Sequence, residues 1–163
     1  IAGLNKASVA DTICSSGILD RYPDVTVSFL ETGCTWVDFA IEVMDFTLDT
    51  IRERIKHGAL RAEHMPIIER GLPKMTPEEY IKAGRIFIGF EVDDDLLPYM
   101  INKYGTECWV YASDIPHAHR LVNSPKHVLN RPDVTDTAKE KILWHGTAKL
   151  YGFDLPGAKT EAA

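Results

Sequence analysis

The feature that most limits how this chain can fold is a set of three short apolar segments with helix-like segments between them. The apolar segments are rich in β-branched and aromatic residues and span Val25–Leu30, Arg85–Glu91 and Cys108–Ala112. Each is almost continuously apolar, which is typical of strands that are buried on both faces of a parallel sheet. The pattern therefore predicts an α/β fold in which helical crossovers join parallel strands.

Helices between these strands are indicated by apolar spacing and by residues that begin or end helices. They are predicted over residues 36–57, 94–104 and 136–151, and each is followed by a glycine. A further helix is predicted after Thr76, because Thr76, Pro77 and Glu79 match an N-cap, a first helical residue and the acid of a capping box. Segments 58–75 and 115–135 hold two and three prolines and are predicted to be irregular loops.

The composition is that of one globular domain over residues 1–163. The chain is 45% hydrophobic and 26% charged, which allows a substantial core. Its net charge of −6 argues against a nucleic-acid partner, and its apolar runs are too short to cross a membrane. The three cysteines are widely spaced and form no CxxC pair, so we expect reduced thiols in a cytoplasmic protein.

An acidic residue lies at the carboxyl end of each predicted strand. These residues are Glu31, Glu91 and Asp114. The carboxyl ends of parallel strands meet at one face of an α/β fold, and ligands bind there, so we expect the three carboxylates to share a pocket. The alternative is that strand ends are polar only because they reach the surface, and the sequence leaves both interpretations open.

The segment after the third strand, SDIPHAH, carries the residues best suited to chemistry. Asp114 can bind a metal ion and accept a proton from bound water, or it can serve only as the start of a turn. His117 and His119 have the spacing of a metal-binding pair on a strand, but Pro116 indicates a loop. We therefore expect His117 to bond near Asp114 or contact substrate, and His119 to contact substrate or solvent. Trp36 can wall the pocket or simply begin the packed helix.

Four segments of the chain, in this order, resemble the C-terminal part of the amidohydrolase-2 family of metal-dependent hydrolases and nonoxidative decarboxylases. They are GILDRYPDVTVSFLETGCTWVDFAIEVMD, MTPEEYIKAGRIFIGFEVDDD, YGTECWVYASDIPHAH and AKEKILWHGTAKLYGF. The resemblance covers nearly the whole chain from about Ser16 onward, and SDIPH and the final LYG are its most specific parts. It implies that the chain holds about strands six to eight of a (β/α)8 TIM barrel, with the active site at the carboxyl face.

The resemblance also implies roles for individual residues. Asp114 matches the strand-eight aspartate, a metal ligand and proton-handling group, and His117 belongs to its surroundings. Glu31 stands where many members have a histidine, so the decarboxylase role of that histidine does not carry over, although we expect Glu31 to act in the site. The implied cofactor is a divalent metal, zinc by default and manganese or iron(II) otherwise. The implied substrate is a small organic molecule. From their positions in the sequence, independently of the resemblance, we expect Trp36 and Glu91 among its contacts.

The family's strand-one metal pair and strand-five histidine have no counterpart before Ile1. Three strands cannot close an eight-stranded barrel, so we expect strands one to five to come from a missing N-terminal segment or from a second chain. The sequence leaves open whether the reaction is hydrolysis or decarboxylation. It also leaves open a noncatalytic half-barrel subunit, structural or regulatory, that completes an active partner chain, and a binding module that has lost its metal.

Overall fold

The three predicted strands form one parallel sheet in the computed structural model, which describes residues 2–31, 33–117 and 123–154. The strands are β1 (Val27–Phe29), β2 (Ile86–Gly89) and β3 (Trp109–Val110), in that order across the sheet. In the register, Phe29 pairs with Ile88 and Gly89 pairs with Val110. The predicted α/β organisation is confirmed, and the carboxyl ends of all three strands lie at the same end of the sheet.

Helices precede, connect and follow the strands. Those before and between β1 and β2 are α1 (Ala2–Ser15), α2 (Ile18–Arg21), α3 (Thr35–Lys56), α4 (Met65–Arg70) and α5 (Pro77–Lys82). Those that come later are α6 (Leu97–Tyr104), α7 (Ser124–Leu129), α8 (Asp136–Glu140) and α9 (Gly146–Tyr151), with a π-helical turn at Lys141–His145 between α8 and α9. None of the helices in the described part of the chain combines the length and apolar composition that a membrane crossing needs.

The helices predicted from apolar spacing are confirmed, including the start of α5. The hydroxyl of Thr76 accepts a hydrogen bond from the Glu79 N–H, and the Glu79 carboxylate accepts one at 2.7 Å from the Thr76 N–H. The prediction of irregular loops was wrong in two places, because α4 and α7 form within them. Pro66 and Pro125 lie at the second residue of these helices, where a missing N–H breaks no helical bond.

One face of the sheet packs against α1 and α3. Phe29, Ile86 and Ile88 share this face, because side chains alternate along a strand and the register places Phe29 beside Ile88. They belong to a buried apolar cluster with Ala10 and Cys14 of α1 and with Val37, Ala40, Ile41 and Met44 of α3. The other face carries Ser28, Phe87, Gly89 and Val110, and it leads to the carboxyl-end cavity.

All three cysteines are buried in this core and none forms a disulfide. Burial raises the pKa of Cys14 and of Cys108 to about 12. Burial, together with the charge of Asp94, raises the pKa of Cys34 as well. A thiol with a pKa of about 12 is a thiolate in roughly one molecule in 10⁴ at pH 8, and the thiolate is the reactive form.

We therefore expect no cysteine of the native protein to react with DTNB at pH 8, and all three to react once urea unfolds the chain. The measurement is the absorbance of the released thionitrobenzoate. Rapid release of one equivalent from the native protein would show that one of these thiols is accessible.

Candidate functional site

A cavity of about 190 Å³ opens at the carboxyl ends of the three strands. Its lining comes from the end of each strand and the residues just after it: Leu30, Glu31, Gly89, Phe90, Glu91, Val110, Ala112 and Asp114. The structure thus brings together the three strand-end acids that the sequence singled out. At Gly89 the ends of β1 and β2 approach closely, since a Cβ there would lie 3.1 Å from the Cα of Leu30.

Asp114 is held by a turn that His117 closes. The His117 N–H donates to the Asp114 carbonyl at 2.8 Å, and His117 Nδ1 lies 2.8 Å from Asp114 Oδ2. The Asp114 side chain is 23% exposed and that of His117 is 61% exposed. The Asp114 carboxylate is therefore oriented by His117, whose own side chain faces solvent. A bond near Asp114 is one of the two roles expected for His117.

The backbone is in the left-handed region at two of the three acids. The φ angles are 59° at Glu31 and 51° at Asp114. Aspartate visits this region more readily than most residues because its short side chain can bond locally, whereas glutamate seldom does, and the conformation costs about 1–2 kcal/mol. Such strain persists where surrounding contacts hold it in place, and it is concentrated at functional sites. Here it sets the direction in which both carboxylates leave the strand ends.

Lys6 of α1 is a cation at this site that the sequence did not reveal. Its Nζ donates to the carbonyl of Glu31, one of the residues with strained backbone. Burial lowers the pKa of Lys6, and the nearby charges of Glu31 and Glu91 offset this only in part. A lysine at residue 6 carries no motif, and its proximity to Glu31 depends on how α1 packs beside β1.

Asp94 ties together the loops that follow β1 and β2. Its Oδ2 accepts hydrogen bonds from the backbone N–H groups of Cys34 and Glu91, both at 2.9 Å. Gly33 has a φ of 68°, and a Cβ there would lie 2.6 Å from Asp94 Oδ1, so the contact requires glycine. Asp94 is therefore the positioning residue that fixes Glu91 relative to the Glu31 loop.

A second contact holds the loop after β2 from outside. Arg131 donates to the Val92 carbonyl at 3.0 Å, and its guanidinium also pairs with Asp133 at 2.7 Å. The Arg131 side chain is 12% exposed, so the charge is well packed. The sequence did not reveal Asp94 or Arg131, because Asp94 reaches Cys34 and Arg131 reaches Val92 through backbone atoms that are distant in the chain.

Replacing Asp94 with alanine should destabilise the protein by about 2 kcal/mol, since two charge-assisted hydrogen bonds to backbone N–H groups are lost. Urea unfolding followed by circular dichroism measures the change. Asp93→Ala is the matched control, because Asp93 is exposed in the same loop and should shift stability by less than about 0.5 kcal/mol. Equal effects of the two substitutions would contradict the role assigned to Asp94.

Of the two other residues predicted for the site, Trp36 and His119, the structure describes only Trp36, which does not line the cavity. Trp36 is half-buried against the core. Its indole N–H donates to the Gly33 carbonyl at 3.0 Å, and its ring packs edge-on against Phe29 at 5.5 Å between centroids. The structure thus places it in the packed start of α3 rather than in the wall of the site. His119 lies outside the described residues.

The site holds carboxylate donors but not a complete metal-binding set. Across residues 2–31, 33–117 and 123–154, no three His, Cys, Asp or Glu side chains are arranged to hold a metal ion. Catalytic zinc sites normally use about three protein ligands, so the described residues by themselves do not fit a zinc ion. What the arrangement offers is an oriented carboxylate at Asp114 for proton transfer, with two more acids and a lysine around it.

The comparisons with known proteins agree with this architecture at the level of the fold. No model of a known protein family matches the chain, and neither does any curated protein. Among solved structures, the chain is similar to an amidohydrolase from Mycobacterium avium subsp. paratuberculosis K-10, with a TM-score of 0.67 and 16% sequence identity. The match covers 88% of this chain and 32% of that one. This chain therefore shares its fold with about a third of an amidohydrolase.

Proposed function

We propose that this chain is the part of an amidohydrolase-like enzyme that carries strands six, seven and eight of a (β/α)8 barrel. The complete enzyme hydrolyses or decarboxylates a small organic substrate. The observation that carries the proposal is the cavity at the carboxyl ends of β1, β2 and β3, which receives one acid from each strand end. Active sites of (β/α)8 enzymes form at this face, and the solved amidohydrolase with the same fold supports the assignment.

In the proposed enzyme, Asp114 transfers the proton. A carboxylate can take a proton from water or from substrate and return it to the product, provided that it is within hydrogen-bond reach. The Asp114 carboxylate lines the cavity, and its Oδ2 lies 2.8 Å from His117 Nδ1. His117 is then a positioning residue that holds the carboxylate and the turn.

Glu31, Glu91 and Lys6 set the charge of the cavity. Together with Asp114, the two glutamates bring three carboxylates to one small cavity, which favours a bound cation, and Lys6 partly balances their charge from the α1 side. A substrate that carries its own negative charge would meet repulsion unless a metal ion were present. The charge pattern therefore supports a divalent metal in the complete enzyme, and zinc remains the default with manganese or iron(II) as alternatives.

The remaining metal ligands belong, in this proposal, to strands other than the three that the described residues form. Asp114 supplies one ligand, and strands one to five of the barrel supply the others. These strands come from the same longer polypeptide or from a second chain, and they pair with β1 on one side and β3 on the other. Closure of this kind also removes the two strand edges, which would otherwise template aggregation.

We expect residues 1–163 expressed alone not to form a monomer that binds one equivalent of zinc. The full-length protein, isolated from its source with everything that completes it, should bind metal through Asp114. Light scattering gives the mass, and elemental analysis gives the metal content of both preparations. A folded monomer of residues 1–163 with one zinc ion would contradict the proposal. Absence of metal from the complete assembly would favour a noncatalytic half-barrel subunit instead.

A further inference from the structure

The outward face of α3 exposes a line of three large apolar side chains. Phe39, Val43 and Phe46 are 59%, 45% and 75% exposed. They are spaced four and three residues apart, so they lie along one stripe of the helix. The opposite side of α3 is the buried one and carries Val37, Ala40, Ile41, Met44, Leu48 and Ile51. The helix is therefore apolar on two sides, and only one of them serves the core.

A groove continues the same stripe toward the C-terminal end of α3. Thr50, Glu53 and His57 extend the spacing of three and four residues, and the groove has a volume of about 460 Å³. Its walls are Phe46, Asp49, Thr50, Glu53, Arg54, His57 and Ala59. One helix thus presents apolar side chains along its first half and a groove along its second half. A second copy of α3 in antiparallel orientation would place its Phe39 and Phe46 along that groove.

The charges of α3 favour the same orientation. Residues 39–49 contain three acidic residues and no lysine or arginine, whereas residues 50–58 contain three basic residues and one acidic residue. Asp38 is left out of this comparison because it pairs with Lys103 of α6. Antiparallel pairing brings the acidic half of each helix to the basic half of the other, and parallel pairing would bring like charges together. Charge and shape therefore select the same partner, which is α3 itself.

The stripe is separate from the surfaces that barrel completion would use. The two sides of α3 are already flanked by helices of this chain. On one side, α1 packs on α3 within the same buried cluster. On the other, Asp38 of α3 accepts hydrogen bonds at 2.6 Å from the Tyr104 hydroxyl and at 3.2 Å from the Tyr99 hydroxyl of α6. Further strands would join the sheet at β1 and β3, away from the outward face of α3.

We propose that the outward face of α3 is a self-association surface on which a second copy of this chain docks its own α3 in antiparallel orientation. The contact is isologous, so each copy contributes both the apolar stripe and the groove. Its centre lies between Phe46 and Thr50, and Phe46 is its most exposed apolar anchor. The assembly is a dimer with two-fold symmetry, whether the chain acts alone or within a larger enzyme.

Replacing Phe46 with aspartate tests the surface in the protein as it is isolated. Sedimentation equilibrium should show dimers for the wild type and a dimer dissociation constant raised at least about 30-fold for the variant, as expected for the loss of a central apolar anchor. Leu129→Asp is the control, since Leu129 is 54% exposed on α7 and should leave the constant unchanged. A monomeric wild type at about 100 μM, where an association of even micromolar strength would be complete, overturns the proposal. A dimer that Phe46→Asp does not weaken overturns it as well.

A charge exchange tests the orientation. Glu42→Lys should weaken the dimer, because antiparallel pairing places residue 42 of one copy within about a turn of Lys56 of the other. Adding Lys56→Glu in the same chain should restore association, since the pair is then reversed rather than lost. If the double variant is no tighter than Glu42→Lys alone, the two helices are not antiparallel and the proposal fails.

Discussion

Replacing Asp114 with asparagine should lower the turnover of the complete enzyme by about 10²–10⁴-fold, the range expected for loss of a general base. Asparagine has the same shape and also tolerates the φ of 51° found at this position. The backbone bond from the His117 N–H to the carbonyl of residue 114 is kept as well. The substitution therefore removes the negative charge and the proton-accepting oxygen without a reason for misfolding.

The measurement is kcat on a substrate found by screening small amides and aromatic carboxylates, with thermal unfolding to check that the fold is intact. Asp93→Asn is the matched control. Asp93 is exposed in the loop after β2, and it is not among the described residues that line the cavity. Metal content is measured in parallel. Near-normal turnover and full metal content in Asp114→Asn would remove Asp114 from the proposed site.

Replacing Gly146 with alanine should destabilise the protein by about 3 kcal/mol through overpacking. A Cβ at Gly146 would lie 1.8 Å from the carbonyl oxygen of Trp109 and 2.8 Å from its carbonyl carbon. Both are backbone atoms of β3, and the indole N–H of Trp109 is fixed by a 2.8 Å hydrogen bond to the Gly105 carbonyl. Neither β3 nor the start of α9 can shift to relieve this clash without displacing core side chains.

The control is Gly3→Ala in α1, where the new Cβ would make an ordinary contact of 3.6 Å with Trp36. Both glycines are helical, so both substitutions gain helix propensity of at most about 1 kcal/mol. Only Gly146→Ala meets a backbone clash, and the two variants should therefore shift the urea midpoint in opposite directions. A stabilised Gly146→Ala would show that α9 does not approach β3 as closely as the structure has it.

The order of strands and helices could be predicted from the sequence because each depends on local periodicity and local capping. The long apolar repeat of α3 and the capping box at Thr76 are properties of neighbouring residues. The π-helical turn at Lys141–His145 is different, because the apolar pattern there is that of an ordinary helix. The turn lies just before Gly146, where α9 meets the backbone of β3. We therefore attribute it to the packing of two elements that are distant in the sequence.

The three acids of the site could also be predicted, since parallel strands bring their carboxyl ends to one face wherever the chain runs between them. The position of Trp36 could not be predicted, because a tryptophan just after a strand fits both a pocket wall and a helix start. Its indole is held against the core by the bond to Gly33 and by contact with Phe29. Lys6 was missed because nothing near residue 6 marks it as part of a site.

The sequence by itself determined the three strands, the helices with a clear apolar repeat or capping box, and the end of the sheet that carries acids, because these follow from patterns a few residues long. The short helices α4 and α7 were not among them. Tertiary structure alone decided how those acids are held. Asp94 reaches Cys34 across 60 residues, and Lys6 reaches Glu31 across 25. Such contacts join a charged side chain to a backbone atom, and every residue type supplies the same backbone atoms, apart from the N–H that proline lacks. The partner therefore leaves no trace in the sequence, and only the packing of the elements identifies it.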